Sequence, residues 1–361
     1  MRWFKKSIHQ FYMMNSKQEK ITGFNSSGVG NTNNNIFGLP FNFEESDLIL
    51  LPVPWEVTTS FGGGTSNGPQ SILNASSQLD LYDPHFPDAW KKGIMMLDIS
   101  EEWLHRNQQL KLKAQELILL QEKGQNINEM TLMKKNLDDI NLASIELNNW
   151  VFEQTKILIE RGKTVGLLGG DHSTPYGFIQ LLAQHHSEFG ILQIDAHADL
   201  RNAYEGFNHS HASIMFNVIK DLDQVKKLTQ VGVRDICQAE VDLIDQSNGR
   251  IYCFYDWDLK EKFFSGINWN SICSNIIDTL PQKVYVSFDI DGLDPSLCPN
   301  TGTPVAGGLQ IHEVFFLIQN IVKSGRKIIG FDLVEVSSGK DNWDGNVGAR
   351  VLYKLCCALL T

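Results

Sequence analysis

Ile191-Leu192-Gln193-Ile194-Asp195-Ala196-His197-Ala198-Asp199 decides the reading of this chain, because a mostly apolar run delivers an Asp, a His and a second Asp at alternate positions. The run has the length and composition of a strand buried on both faces. Two further apolar runs end the same way. Val165-Gly166-Leu167-Leu168 leads into Gly169-Gly170-Asp171-His172-Ser173, and Val284-Tyr285-Val286-Ser287-Phe288 leads into Asp289-Ile290-Asp291. Ligands of an open parallel sheet bind beyond the carboxyl ends of its strands, so polar residues at three such ends point to one crevice.

The two runs above extend over 164–168 and 284–290, and short apolar runs at 48–51, 228–233, 251–255 and 328–334 read as further strands. Helical spacing follows several of them, at Pro69 with Ile72, Ala75 and Leu79, at 176–185 and at 311–322, while 148–161 leads into the second strand. This alternation predicts an α/β fold with a mostly parallel sheet covered on both faces. Residues 46–361 read as a single domain. Within it, about 101–148 carries Leu110, Leu112, Leu117, Leu119 and Leu120 among Lys, Gln and Glu, and is expected to be a helical insertion serving structure, subunit contact or as a lid. Residues 1–45 form a polar N-terminal extension rich in Asn, Ser and Gly, expected to be loops rather than a packed element. Arg2, Lys5 and Lys6 precede Phe11-Tyr12-Met13-Met14 without the apolar core of a signal peptide, and Met14 is a candidate for the true start.

The chain has 361 residues, 42% of them hydrophobic, enough for a large core. A formal net charge of −11 argues against a nucleic-acid partner and favours a small cationic ligand. The six cysteines show neither CxxC nor zinc-finger spacing, which suits free thiols in a reducing, cytoplasmic setting. No apolar run approaches the ~20 residues of a bilayer span, so no membrane role is expected. The glycine-rich Phe61-Gly62-Gly63-Gly64-Thr65-Ser66-Asn67-Gly68 lacks the Gly-Lys-Ser/Thr ending of a phosphate-binding loop.

Residues two apart on a strand share a face, so Asp195 can converge with His197, and Asp289 with Asp291. With Asp199 and His172 this makes four carboxylates and two imidazoles, too much negative charge to bury unless cations neutralise it. Two divalent metal ions are the natural solution. Oxygen-rich ligands favour Mn²⁺, while the imidazoles leave Ni²⁺, Co²⁺, Fe²⁺ or Zn²⁺ open.

The segments at 169–173, 195–199 and 287–295, followed by Thr301-Gly302-Thr303-Pro304 and Gly307-Gly308-Leu309, resemble the three signatures of the ureohydrolase (arginase/agmatinase) family, in the right order, and the resemblance covers roughly 47–360. It implies a three-layer α/β/α arginase-like fold around a mostly parallel eight-stranded sheet, and hydrolysis of a guanidino group to urea and an amine or ammonia. By position, His172, Asp195, Asp199 and Asp289 bind one metal, and Asp195, His197, Asp289 and Asp291 the other. Asp199 would orient the nucleophile and take its proton. Glu335 matches the guanidinium-binding glutamate, and His211, in Tyr204-Glu205-Gly206-Phe207-Asn208-His209-Ser210-His211, matches the proton-shuttling histidine, with His209 a second candidate at the pocket. Trp55 and Phe61 are candidates to pack on the substrate cation. The resemblance also implies a homo-trimer or homo-hexamer.

After Asp199, the Leu200-Arg201-Asn202 and Tyr204-Glu205-Gly206 segments depart from the arginase pattern and resemble agmatinase-type enzymes, which argues against arginine. The 51–60 tract, the extension and the insertion look like a branch that includes nickel-using guanidine hydrolases. Free guanidine and agmatine-like substrates therefore lead, with formiminoglutamate behind. A non-catalytic binding protein of the same fold is the other class of reading.

Overall fold

A computed structural model describes residues 16–33 and 35–361. The Met14 start and the Phe11 to Met14 segment lie outside the described residues. Residues 16–23 form α1. The chain then runs β1 (Leu48–Val53), α2 (Gly68–Ser76), β2 (Ile94–Met96), α3 (Glu101–Glu122), α4 (Thr131–Glu160), β3 (Thr164–Gly169), α5 (Tyr176–His185) and β4 (Phe189–Ile194). It continues through α6 (Ile214–Asp221), β5 (Val225–Val231), α7 (Gln238–Gln246), β6 (Ile251–Phe254), α8 (Asp256–Phe264), α9 (Trp269–Asp278), β7 (Lys283–Asp289), α10 (Ile311–Lys323), β8 (Lys327–Val334) and α11 (Trp343–Leu359).

The eight strands form one parallel sheet in the order β2-β1-β3-β8-β7-β4-β5-β6. Both faces are covered because strand side chains alternate. Leu48 and Leu50 of β1 join the core built with α2, α9, α10 and α11, whereas Ile49, Leu51 and Val53 join the core built with α3, α4, α5 and α6. The fold is therefore three-layered α/β/α, as the family resemblance implies. The short edge strand β2 had no signal of its own in the sequence, since three residues carry no periodicity.

Two regions differ from the sequence reading. The extension is not loop throughout: α1 is tied down where Lys20 Nζ meets Glu45 Oε2 at 2.6 Å and Ser16 Oγ donates to Glu45 Oε1 at 2.7 Å. Further along, Ile36, Phe37, Leu39 and Phe41 are buried. The Asn35 side chain also pairs with the backbone of Met96, covering part of the exposed edge of β2. An average over a polar composition hides four apolar anchors. The segment at 101–148, in turn, is two helices, and the second runs unbroken to Glu160, so it includes the crossover helix into β3. Trp103, Leu110, Ala114 and Leu117 of α3 lie in the core. Among the described residues no helix is long and apolar enough to cross a membrane, and all six cysteines are unpaired.

Phe37 is 2% exposed and stands edge-on to Tyr353 of α11, with ring centroids 5.1 Å apart. Phe37→Ala is expected to destabilise the protein by about 3–5 kcal/mol, while the fully exposed Val29 should tolerate alanine within about 0.5 kcal/mol. Denaturant unfolding of both variants checks this; equal midpoints would show that the extension does not belong to the core.

Candidate metal centre

Four neighbouring strands, β3, β8, β7 and β4, deliver the site. His172 follows β3, Glu335 follows β8, Asp289 closes β7, and Asp195 follows β4. The remaining donors lie past the strand ends: Asp291 sits in a 3₁₀ turn (Ile290–Gly292), and Asp199 has a left-handed φ of 54°. Strand pleating therefore does not aim them, as the two-residue spacing suggested. Short backbone bonds do. His197 N–H donates to Asp195 Oδ1 (2.7 Å), Asp291 N–H to Asp289 Oδ1 (2.8 Å) and Ala196 N–H to Asp291 Oδ1 (3.0 Å).

His172 Nδ1 is 3.0 Å from Asp195 Oδ2, 3.0 Å from Asp199 Oδ2 and 3.3 Å from Asp289 Oδ2. His197 Nδ1 is 3.1 Å from Asp291 Oδ2 and 3.6 Å from Asp195 Oδ1. His172, Asp195 and Asp289 form one group able to hold a metal ion, and Asp195, His197 and Asp291 a second, sharing Asp195. Two donors about 2.1 Å from one cation and at right angles stand about 3.0 Å apart, which is the spacing seen here. His172 Nδ1 is buried and makes no hydrogen bond, although three carboxylates surround it. A cation satisfies that nitrogen and the oxygens together. Burial, then Asp195, pushes the Asp199 carboxyl up to about 7; burial, then Asp291 and Asp195, pushes Asp289 well above the usual range. The residues present fit a two-metal site.

Behind His172 lies a relay that the sequence reading missed. His172 Nε2 meets Ser287 Oγ at 2.8 Å, and Ser287 Oγ donates to Asp332 Oδ1 at 3.2 Å. With Nε2 carrying the proton, Nδ1 is left to face a metal. Asp332 is fully buried mid-strand in β8, and a charge inside a buried apolar strand was the available signal. Arg234 was also missed. Its guanidinium donates to the carbonyls of Gly232, Asp291, Leu293 and Val305 at 2.7–3.1 Å, clamping the turn that carries Asp291.

Glu335 is buried, with a left-handed φ of 60°. Its Oε1 accepts His172 N–H at 3.0 Å, and its Oε2 is buried with no partner. Burial, then the neighbouring Asp171, holds its pKa well above the usual range. A cavity of about 120 Å³ opens beside the cluster, lined by Ser60, His197, Asp199, Arg201, Tyr204 and His211 among others. His211 therefore lies at the pocket, with its ring edge-on to Tyr204. His209 does not: its ring packs on Tyr176 at 5.3 Å, and it is not part of the cavity lining. Trp55 is displaced further. Its indole is fully buried and edge-on to Trp103 at 5.8 Å, in the core behind the pocket wall, so it is not placed to touch a substrate. Phe61 is 69% exposed and also outside the lining.

A model of the Arginase family matches residues 46–360. The chain belongs to the arginase family. Among curated arginase-family proteins it is 30% identical to the guanidinobutyrase of Pseudomonas aeruginosa, over 89% of this chain and 88% of that one. It is 28% identical to the N(1)-aminopropylagmatine ureohydrolase of a Synechocystis species, over 87% and 89%. Among solved structures, a hypothetical agmatinase from Burkholderia thailandensis superposes with a TM-score of 0.67 at 22% identity, covering 91% of this chain and 92% of its own. The agmatine ureohydrolase of Thermoplasma volcanium gives 0.64 at 20%, covering 95% and 97%. The protein is thus an arginase-family hydrolase acting on guanidino C–N bonds.

Ser287→Ala removes the acceptor that orients His172 and should weaken metal binding by roughly 10–100-fold without loss of fold. Chelator competition followed by metal analysis reads the change, and an unaltered affinity would remove Ser287 from this role.

Proposed function

We propose that the protein hydrolyses a small guanidino compound, free guanidine or one with a short tail, to urea and ammonia or an amine. The unpartnered, buried Oε2 of Glu335 beside the metal cluster carries the reading. A buried carboxylate oxygen with no donor calls for a cation, and a planar guanidinium supplies N–H donors in a fork. Because Oε1 is already engaged by His172 N–H, Oε2 carries most of the contact.

His172, Asp195, Asp199 and Asp289 would hold one cation, and Asp195, His197, Asp289 and Asp291 the other. Mn²⁺ suits the oxygen-rich set and Ni²⁺ is the alternative. When bound, the cations supply the positive charge that makes water nucleophilic near neutral pH. Asp199 orients the attacking water and takes its proton. Water adds at the guanidinium carbon, the C–N bond breaks, and the departing nitrogen leaves protonated. Burial, then the nearby His197 and Lys111, lowers His211 to about 3, so it stands at the pocket as a neutral imidazole that can hydrogen-bond the substrate or the departing nitrogen.

The cavity beside the cluster, lined by His197, Asp199 and His211 with Asp235 at its rim, has room for a guanidinium. No described residue of the extension lines the cavity, and α1 packs against Glu45 and Asp47, before the start of β1, whereas the site lies beyond the carboxyl ends of the strands. The side chain of Asp235, 68% exposed at the rim and 4.0 Å from His197 Nε2, favours a second reading, an amine-tailed compound of agmatine type. A reducing cytoplasm fits the free thiols, and a homo-trimer or homo-hexamer fits the exposed Leu112, Leu119, Leu142 and Ile145.

Protein loaded separately with Mn²⁺ and Ni²⁺ should release urea from at least one of guanidine, agmatine, guanidinobutyrate and arginine; silence across the panel with both metals would sink the assignment. In the same assay Glu335→Gln should keep its metal and lose about 100-fold or more in kcat/KM, whereas His172→Ala should lose metal and activity together. Full activity in Glu335→Gln would exclude its role.

A further inference from the structure

Two walls of the pocket lie outside the strands that carry the metal donors. One is the turn from Glu56 to Ser60. The other is the loop from Arg201 to His211, whose Ala203 and Glu205 have left-handed φ of 52° and 54° without being glycine. Such conformations persist only where surrounding structure over-determines them, and they concentrate at ligand clamps. Both walls are gripped by side chains of the α3–α4 hairpin.

On the first wall, Lys111 of α3 is buried and gives its ammonium protons to Glu56 O (3.0 Å), Thr59 O (2.7 Å) and Thr59 Oγ1. Asn107, one turn earlier, accepts Glu56 N–H at 2.7 Å. Between these anchors, Thr58 Oγ1 accepts His211 N–H (3.3 Å) and points to Asp171 Oδ2 (3.4 Å), which links the first wall to the second and to the residue before His172. A lysine whose hydrogen bonds go to carbonyls and a hydroxyl, rather than to a carboxylate, is held in place to fix backbone. On the second wall, Asn141 of α4 donates to Gly206 O (3.1 Å) and accepts from Asn208 N–H (2.8 Å), and Gln121 of α3 donates to Glu205 O (3.1 Å). Leu137 packs beneath Gly206, so closely that a Cβ there would stand 3.1 Å from it.

We propose that the α3–α4 hairpin sets the width of the pocket, with Lys111 and Asn141 as positioning residues that fix its two walls from outside the site and so select short guanidino compounds over longer ones. The inference rests on the ureohydrolase reading for the identity of the ligands, but not for the mechanics of the walls. It assigns the helical segment a role distinct from both the lid and the subunit contact expected from its sequence.

The test compares metal-loaded wild type with Lys111→Met, Asn141→Ala and Glu116→Ala, the last an exposed residue of α3 as control. Three quantities are read: calorimetric affinity for guanidinium and for agmatine, the ratio of kcat/KM for the two, and hydrogen exchange at 203–211 without ligand. Lys111→Met and Asn141→Ala should bind metal normally, exchange faster at 203–211, and shift the guanidinium-to-agmatine preference by about tenfold toward agmatine, while Glu116→Ala matches wild type. A parallel loss for both ligands, or unaltered exchange at 203–211, would overturn the proposal. Should Lys111→Met fail to fold, the surface variant Asn141→Ala decides alone. Binding without urea release in wild type would count against the ureohydrolase reading, and the affinity ratio and exchange would still judge the hairpin.

Discussion

The structure is organised around one electrostatic constraint: Asp195, Asp199, Asp289 and Asp291, with Glu335 and Asp171 close by, are all buried at one end of the sheet. Taking even one carboxylate out of water without a partner costs several kcal/mol. Adjacent parallel strands lie about 4.8 Å apart, so the order β3-β8-β7-β4 compresses donors from positions 172 to 335 into a cluster a few ångströms across. Within the protein, the partial compensation comes from backbone N–H groups of Ala196, His197, Asp291 and His172. These dipoles fix where each oxygen points, but they do not cancel the charge. Divalent cations would, and the proposed cationic substrate would complete the balance at Glu335.

Local backbone strain follows from the same crowding. Asp199 and Glu335 both take left-handed conformations that cost of order 1–3 kcal/mol each. For Glu335 the counterweights are visible: its N–H donates to Gly170 O at 2.7 Å, and its carbonyl accepts Thr301 Oγ1 at 2.8 Å. Gly170 is itself constrained, since a Cβ there would meet Trp55 O at 1.9 Å. Trp55 thus matters to the site through its carbonyl, which approaches the 170–172 backbone and accepts Asp171 N–H at 2.7 Å, while its indole belongs to the core.

What was legible in the sequence was what is local. A strand that ends in an Asp, a His and a second Asp at alternate positions announces itself within nine residues, because the apolar run, the turn and the donors are contiguous. The three metal-bearing segments and Glu335 are of this kind, and so are the seven longer strands. Less legible was anything decided by partners far along the chain. Strand order could not be read from spacing, β2 was too short to show a pattern, and an aromatic such as Trp55 looks the same in sequence whether it faces a pocket or Trp103. Ser287 and Asp332 lay in quoted runs, but their relay to His172 depends on β7 and β8 being neighbours. Lys111 had a faint signal, a charge on the buried stripe of α3 that also carries Asn107 and Ala114, and its meaning emerged only from the turn it reaches.

That division has a consequence for substrate choice. The donors sit at the ends of strands buried in the middle of the sheet, where a shift of one would disturb both cores, so the metal geometry is stiff. The pocket walls are loops whose conformation is borrowed from helices outside the sheet, through a few hydrogen bonds from Asn107, Lys111, Gln121 and Asn141. A change on α3 or α4 can move Ser60 or Tyr204 without touching a metal ligand. Proteins named for different guanidino substrates resemble this chain to a similar degree along most of their length, which is what walls held by the outer helices, as proposed above, would allow.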